Sequence, residues 1–167
     1  MENIKVKNVI IGKQFEYSEN LQKVLKIMQE KKINLKVVEA GNRINIERNL
    51  YFDVFWPDST NMISENAINN NALVCKLYYK NFSILFTGDI EEEAERVIFK
   101  SYENNQDKLK ATVLKVAHHG SNTSSIEKIL EAVSPQSALI GVGKNNKYGH
   151  PNDEVIERLE DLRSKSI

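Results

Sequence analysis

Apolar positions along the chain recur with two different rhythms. In the first half they form short runs and alternations. Residues 6–12 make a short apolar run of strand length. Ser18 then precedes Leu21, Val24, Leu25 and Met28, whose spacings of three and four place an apolar stripe on a helix capped by Ser18. Residues 35–38 read as a strand that ends at the turn signal Gly41-Asn42. Ile44 and Ile46 alternate with polar residues, and residues 50–56 are apolar and aromatic, which predicts a hairpin. Residues 57–71 hold Asn61, Asn66, Asn69, Asn70 and Asn71 with little periodicity, and read as a long surface loop rather than a domain boundary. Residues 73–79 and 82–86 follow as strands about a turn at Lys80-Asn81.

From there strand and helix patterns alternate. Residues 91–102 have helical spacing, 112–116 are strand-like, and 124–133 form a helix with a capping box of Ser124 and Glu127. Residues 138–142 are strand-like, and Asn152 caps a last helix with Val155, Ile156, Leu159 and Leu162 inward. This mixture predicts an α/β fold with a sheet covered by helices on at least one face.

Length and charge narrow the partners. A chain of 167 residues fits one domain with an ordinary core. Lys+Arg and Asp+Glu are equal at 23 each, so no net charge steers the chain toward nucleic acid, and a local patch must do so. The single cysteine, Cys75, lies in an apolar run, reads as a small buried hydrophobe, and excludes an intrachain disulfide. No apolar run approaches the roughly 20 residues of a membrane span, so the chain is expected to be soluble.

The residues that carry chemistry cluster in three loops, each between a predicted strand and helix. The first is Thr87-Gly88-Asp89, the second His118-His119-Gly120-Ser121, and the third runs from Gly143 to Pro151. All three histidines of the chain, His118, His119 and His150, lie in these loops. If the preceding strands run parallel in one sheet, the loops share its carboxyl edge, where α/β proteins place ligands. Imidazole nitrogen with carboxylate oxygen is a donor set for zinc- or manganese-type ions. Plainer readings stand beside this one. Asp89 could be a helix N-cap, the histidine pair one core and one exposed imidazole, and His150 a loop end. Lys144 and Lys147 could grip phosphate or be solvated.

Taken together, Asn70-Asn71-Ala72-Leu73-Val74, Phe86-Thr87-Gly88-Asp89-Ile90, Leu114-Lys115-Val116-Ala117-His118-His119-Gly120-Ser121 and the stretch from Gly141 through Lys144-Asn145-Asn146-Lys147-Tyr148-Gly149-His150-Pro151 resemble the metallo-β-lactamase domain of ComEC-type DNA-internalisation proteins. The resemblance is dense from about Asn69 to Leu162 and looser before that. It implies an αββα sandwich with two divalent metal ions, zinc or manganese, and hydrolysis of a phosphodiester, DNA among the candidates. It implies that Asp89 bridges the metals and that a histidine of the pair binds one. His119 is favoured, with His118 close by, either supporting the metal ligands or touching the substrate, and the two could be reversed. Asp89, His118 and His150 are the implied catalytic residues, and Ser121, Lys144, Asn145, Tyr148 and His150 the implied phosphate side.

The chain departs from that family in one respect: it has no His-x-His-x-Asp-His motif, the source of most of the family's metal ligands. Residues 1–167 are therefore expected to form a single partial domain, the distal half of the sandwich, inactive alone and requiring the amino-terminal half. The parent is expected to be a membrane protein with this domain on its outer face, a cytoplasmic place being the alternative. An exposed sheet could pair with a second copy. The competing reading is a non-catalytic binding or structural module with a remnant metal site.

Overall fold

The computed structural model describes residues 4–14 and 18–164. Strand β1 (Asn8–Gly12) leads through helix α1 (Glu19–Glu30) to β2 (Asn34–Val38). The helix begins as its sequence predicts, with Ser18 Oγ accepting the Leu21 N–H at 3.3 Å. β1 and β2 pair in parallel, from Asn8 opposite Asn34 to Gly12 opposite Val38, an arrangement that needs a crossover such as α1.

Six further strands make a second sheet: β3 (Arg43–Glu47), β4 (Leu50–Trp56), β5 (Val74–Tyr79), β6 (Phe82–Phe86), β7 (Val113–Lys115) and β8 (Ser137–Leu139). They lie side by side in chain order. β3 to β6 form an antiparallel meander, whereas β6, β7 and β8 run parallel. Helices α2 (Ala67–Asn70), α3 (Glu92–Ser101), α4 (Glu127–Val133) and α5 (Asp153–Ser164) fill the connections.

Side chains alternate across the six-stranded sheet, and each face has its own cluster. On one face Phe55, Val74, Leu85, Leu114 and Val116 pack with Ile98 of α3, Leu130 and Val133 of α4, and Val155 of α5. On the other, Val54 and Cys75 pack with Val38 and Ile10 of the two-stranded sheet. The fold is mixed α/β with two sheets in contact. Burial pushes the Cys75 thiol up to about 11, in keeping with its reading as a buried hydrophobe.

Lys76 lies on the helix-covered face and is buried. Its Nζ donates to the carbonyl oxygens of Lys108 and Lys110 and lies 4.8 Å from the Tyr78 ring centre. Tyr78 stacks on Tyr51 at 4.9 Å, and the Arg43 guanidinium covers Tyr51 at 4.1 Å. Both aromatic faces of this column are thus occupied from within.

Several expectations need correction. Residues 57–71 are not merely a surface loop: they contain α2, and Asn70 and Asn71 are buried. The capping box at Ser124 and Glu127 does not form. The Ser124 hydroxyl donates to the Ile90 carbonyl at 2.8 Å, and α4 starts later, with Ile126 as its N-cap residue. The amides leading into it are met from another helix, because Glu95 of α3 accepts the N–H groups of Ser125 and of the N-cap residue Ile126 at 2.8 Å each. Asp89 is not the N-cap of α3; Glu91 holds that position. The parallel strands end at Lys115 and Leu139, earlier than their apolar runs; a last bond from the Val116 N–H to the Leu139 carbonyl at 2.9 Å precedes the 3₁₀ turn that starts at Ala117.

Candidate active site

Parallel β6, β7 and β8 carry the three polar loops to one sheet edge, and backbone contacts lock the loops together. The His118 N–H donates to the Gly88 carbonyl at 3.0 Å, Thr87 Oγ1 to the Lys115 carbonyl at 2.6 Å, and the Asn152 N–H to the Gly120 carbonyl at 2.9 Å. Gly120 has φ +79°, and a Cβ there would lie 2.8 Å from Cβ of Pro151, so glycine lets the second and third loops close on each other. His118 and His119 are both left-handed, with φ of 45° and 56°, inside a 3₁₀ turn over Ala117–Gly120. Such backbone costs on the order of 1–3 kcal/mol for a non-glycine residue and gathers at functional sites.

That turn aims the two imidazoles differently. His119 Nδ1 is 2.6 Å from the Gly141 carbonyl, which can only accept, so Nδ1 bears the proton and Nε2 the lone pair in the neutral ring. Nε2 lies 3.6 Å from Asp89 Oδ1. This is too long for a hydrogen bond. Two ligands placed about 2.0–2.1 Å from one tetrahedral zinc lie about 3.4 Å apart, close to what is seen. Both side chains are nearly half exposed.

His118 turns the other way. Its Nδ1 is buried, makes no hydrogen bond, and lies 3.5 Å from Glu91 Oε1. The Glu91 carboxylate is fixed by Asn66 Nδ2 at 2.9 Å and Thr123 Oγ1 at 3.2 Å, and its backbone N–H donates to Asn70 Oδ1 at 3.1 Å. Glu91 and Thr123 were not singled out from the sequence, and Asn70 entered only in the asparagine-rich loop and in the stretch from Asn70 to Val74 that carries the resemblance. Glu91 sits in a run of glutamates at a helix start, where acidic residues are ordinary. The His150 ring meets that of His118 edge-on at 5.9 Å. Asp89, His119, His118 and His150 therefore lie on one continuous patch.

The other sequence-selected residues are less uniform. Ser121 is buried, and its Oγ lies 3.0 Å from Thr123 Oγ1, so the hydroxyl is engaged within the loop. Lys144, Asn145 and Tyr148 are exposed on the third loop. Lys115, not singled out, donates from Nζ to the Val116 carbonyl at 2.7 Å. Burial lowers its pKa, and the charge of Asp89 opposes that shift.

Among the described residues no group of three or more His, Cys, Asp or Glu side chains is placed to hold a metal ion. Asp89 and His119 thus fit a metal as two donors of the three or four that zinc uses, and the set is half complete.

No family model matches the chain. It is 34% identical to ComE operon protein 3 of Bacillus subtilis over 160 residues, covering 96% of this chain and 20% of the relative. It is 33% identical to competence protein ComA of Neisseria gonorrhoeae over 108 residues, covering 65% of this chain and 15% of the relative. The chain is related to competence proteins. Recombination protein 2 of Haemophilus influenzae, 32% identical over 115 residues, matches 69% of the chain and 14% of its own length. The chain spans about a fifth of the length of these competence relatives, or less.

Proposed function

We propose that this competence-related chain carries the distal half of a two-metal phosphodiesterase site on a metallo-β-lactamase-type αββα sandwich, acting on DNA during its uptake. The observation that carries the reading is the His119–Asp89 pair: a 3.6 Å donor separation, with the imidazole proton pinned on the far nitrogen by Gly141. Holding the far ring N–H on a carbonyl is how proteins orient a metal-binding histidine. Asp89 and His119 would hold the ions, zinc or manganese, which supply Lewis-acid charge neutralisation to the phosphate oxygens when bound. His118, backed by Glu91, and His150 border the position of the phosphate. Lys144 and Asn145 lie on the solvent side of the same loop.

The rest of the donor set belongs to the amino-terminal half of the sandwich. Leu35 and Val37 of β2, 39% and 41% exposed, mark apolar surface for that half to cover, with a second copy as the competing occupant. No helix of the described residues is long and apolar enough to cross a membrane. We assign the domain to the outer face of a larger membrane protein, with the cytoplasm as the alternative.

A second reading, a non-catalytic module with a remnant site, is favoured by the two-donor set. Hydrolysis of bis(p-nitrophenyl) phosphate and single-stranded DNA with manganese or zinc separates the two. The expected result is no appreciable activity from the 167-residue chain, activity when it is joined to an amino-terminal half carrying the His-x-His-x-Asp-His motif, and loss of that activity in Asp89→Ala. Activity of the joined protein that survives Asp89→Ala would overturn the two-metal reading.

A further inference from the structure

One side chain orders the third loop. Asn146 Oδ1 accepts the N–H groups of Tyr148 at 3.2 Å and His150 at 3.0 Å, and Nδ2 donates to the carbonyls of His150 at 2.7 Å and Gly143 at 3.3 Å. A loop built this way fixes the backbone that carries Tyr148. Its ring lies nearly parallel to that of His150, with centroids 5.9 Å apart and planes 18° apart, yet Tyr148 is 82% exposed. His150 in turn meets His118 edge-on, and His119 of the Asp89–His119 pair borders the same hollow as Tyr148 and His150.

That hollow measures about 210 Å³ and is lined by His119, Val142, Gly143, Tyr148 and His150 among others. Val142 is itself 41% exposed. Pockets for drug-sized ligands run to about 300–1,000 Å³, so this one suits a single flat ring. A phosphate has no use for an exposed aromatic face and an apolar hollow, whereas a base has use for both. Lys144 and Lys147 on the same loop supply local cations in a chain of zero net charge.

We infer that Tyr148 is a stacking platform for the nucleobase next to the scissile phosphate, so that the site selects single-stranded nucleic acid over base-free diesters. This rests on the phosphodiesterase reading of the neighbouring pair and names its substrate class. Stacking on an aromatic ring tolerates any base, because every base has a π-face, and it requires an unpaired strand whose bases can leave their own stack. Duplex DNA keeps those faces buried.

The test is fluorescence anisotropy of the 167-residue chain with a short labelled oligothymidylate and with an abasic oligonucleotide of equal length. Stacking worth about 1–3 kcal/mol predicts a preference of about 5- to 150-fold for the base-bearing strand. Tyr148→Ala should bring the affinities for the two strands to within about twofold of each other, whatever it does to the shared phosphate contacts. Tyr148→Phe should keep the preference. Equal affinity for the two strands, binding of neither, or an unaltered preference in Tyr148→Ala would each overturn the platform. Hydrolysis of the abasic strand by the joined two-half protein separates this idea from the one beneath it. Cleavage without base preference removes the platform and keeps the phosphodiesterase, and base preference without cleavage does the reverse.

Discussion

The carboxamide of Asn71 reaches three backbone groups of the segment it closes. Nδ2 donates to the carbonyls of Ile63 and Ala67 at 2.7 Å each, and Oδ1 accepts the Ile63 N–H at 3.1 Å. Its neighbour Asn70 receives Trp56 Nε1 on its carbonyl at 2.6 Å and holds the Glu91 N–H on its side chain. These two residues therefore tie the asparagine-rich stretch to the sheet and to the carboxylate behind His118. Asn71→Ala would leave buried backbone groups without partners, and a loss of about 2–4 kcal/mol is expected in urea unfolding. Asn71→Asp should recover only part of this, because a carboxylate cannot donate to the two carbonyls. A loss under about 0.5 kcal/mol in Asn71→Ala would contradict the assignment. The resemblance picked out Asn70-Asn71 as a pair, but not what either side chain does. Asn61, Asn66 and Asn71 are alike in sequence, and only the tertiary contacts separate a loop asparagine from one that replaces a backbone partner.

Between elements, the same limit explains the missing capping box. Ser124 and Glu127 satisfy the local pattern, but the acceptor at the start of α4 is Glu95 of α3, a residue about thirty positions away. Ser18 behaves as read, its hydroxyl accepting the Leu21 N–H from within its own turn. Burial pushes the Glu95 carboxyl up to about 7, against the pull of the amides of Ile126 and Ser125 and of Arg158, with Glu92 adding to the rise. Because the folded pKa lies above the unfolded one, the folded form holds its proton after the unfolded form has lost it. Stability therefore falls as pH rises from about 4.5 to about 7 and is flat above that. From pH 5 to pH 8 the wild-type chain should lose on the order of 2 kcal/mol relative to Glu95→Gln, which does not titrate there. Denaturant midpoints of both proteins at the two pH values give the answer. Parallel behaviour of the two would remove Glu95 as the cause.

At the scale of the molecule, the sequence order of strand, loop and helix was enough to foresee that Asp89, His119, His118 and His150 meet. Parallel strands have only one carboxyl edge, and β6, β7 and β8 are adjacent. Which nitrogen each histidine offers was not foreseeable, since it depends on the left-handed turn and on the Gly141 carbonyl. Lys76 has a different consequence for the whole molecule. Burial lowers its ammonium to about 8, so near that pH half of the groups are free amines, chemically ready to be acylated. Yet the nitrogen is enclosed by aromatic rings and two carbonyls, and no reagent reaches it until the segment carrying Lys108 and Lys110 lifts from the sheet. Lys76 is thus a built-in clock for breathing of the core. In timed acetylation read by mass spectrometry, exposed lysines such as Lys144 should be modified early, and Lys76 late, at a rate that rises with mild denaturant in step with opening. Early modification of Lys76 would mean that this side of the sheet opens without the rest.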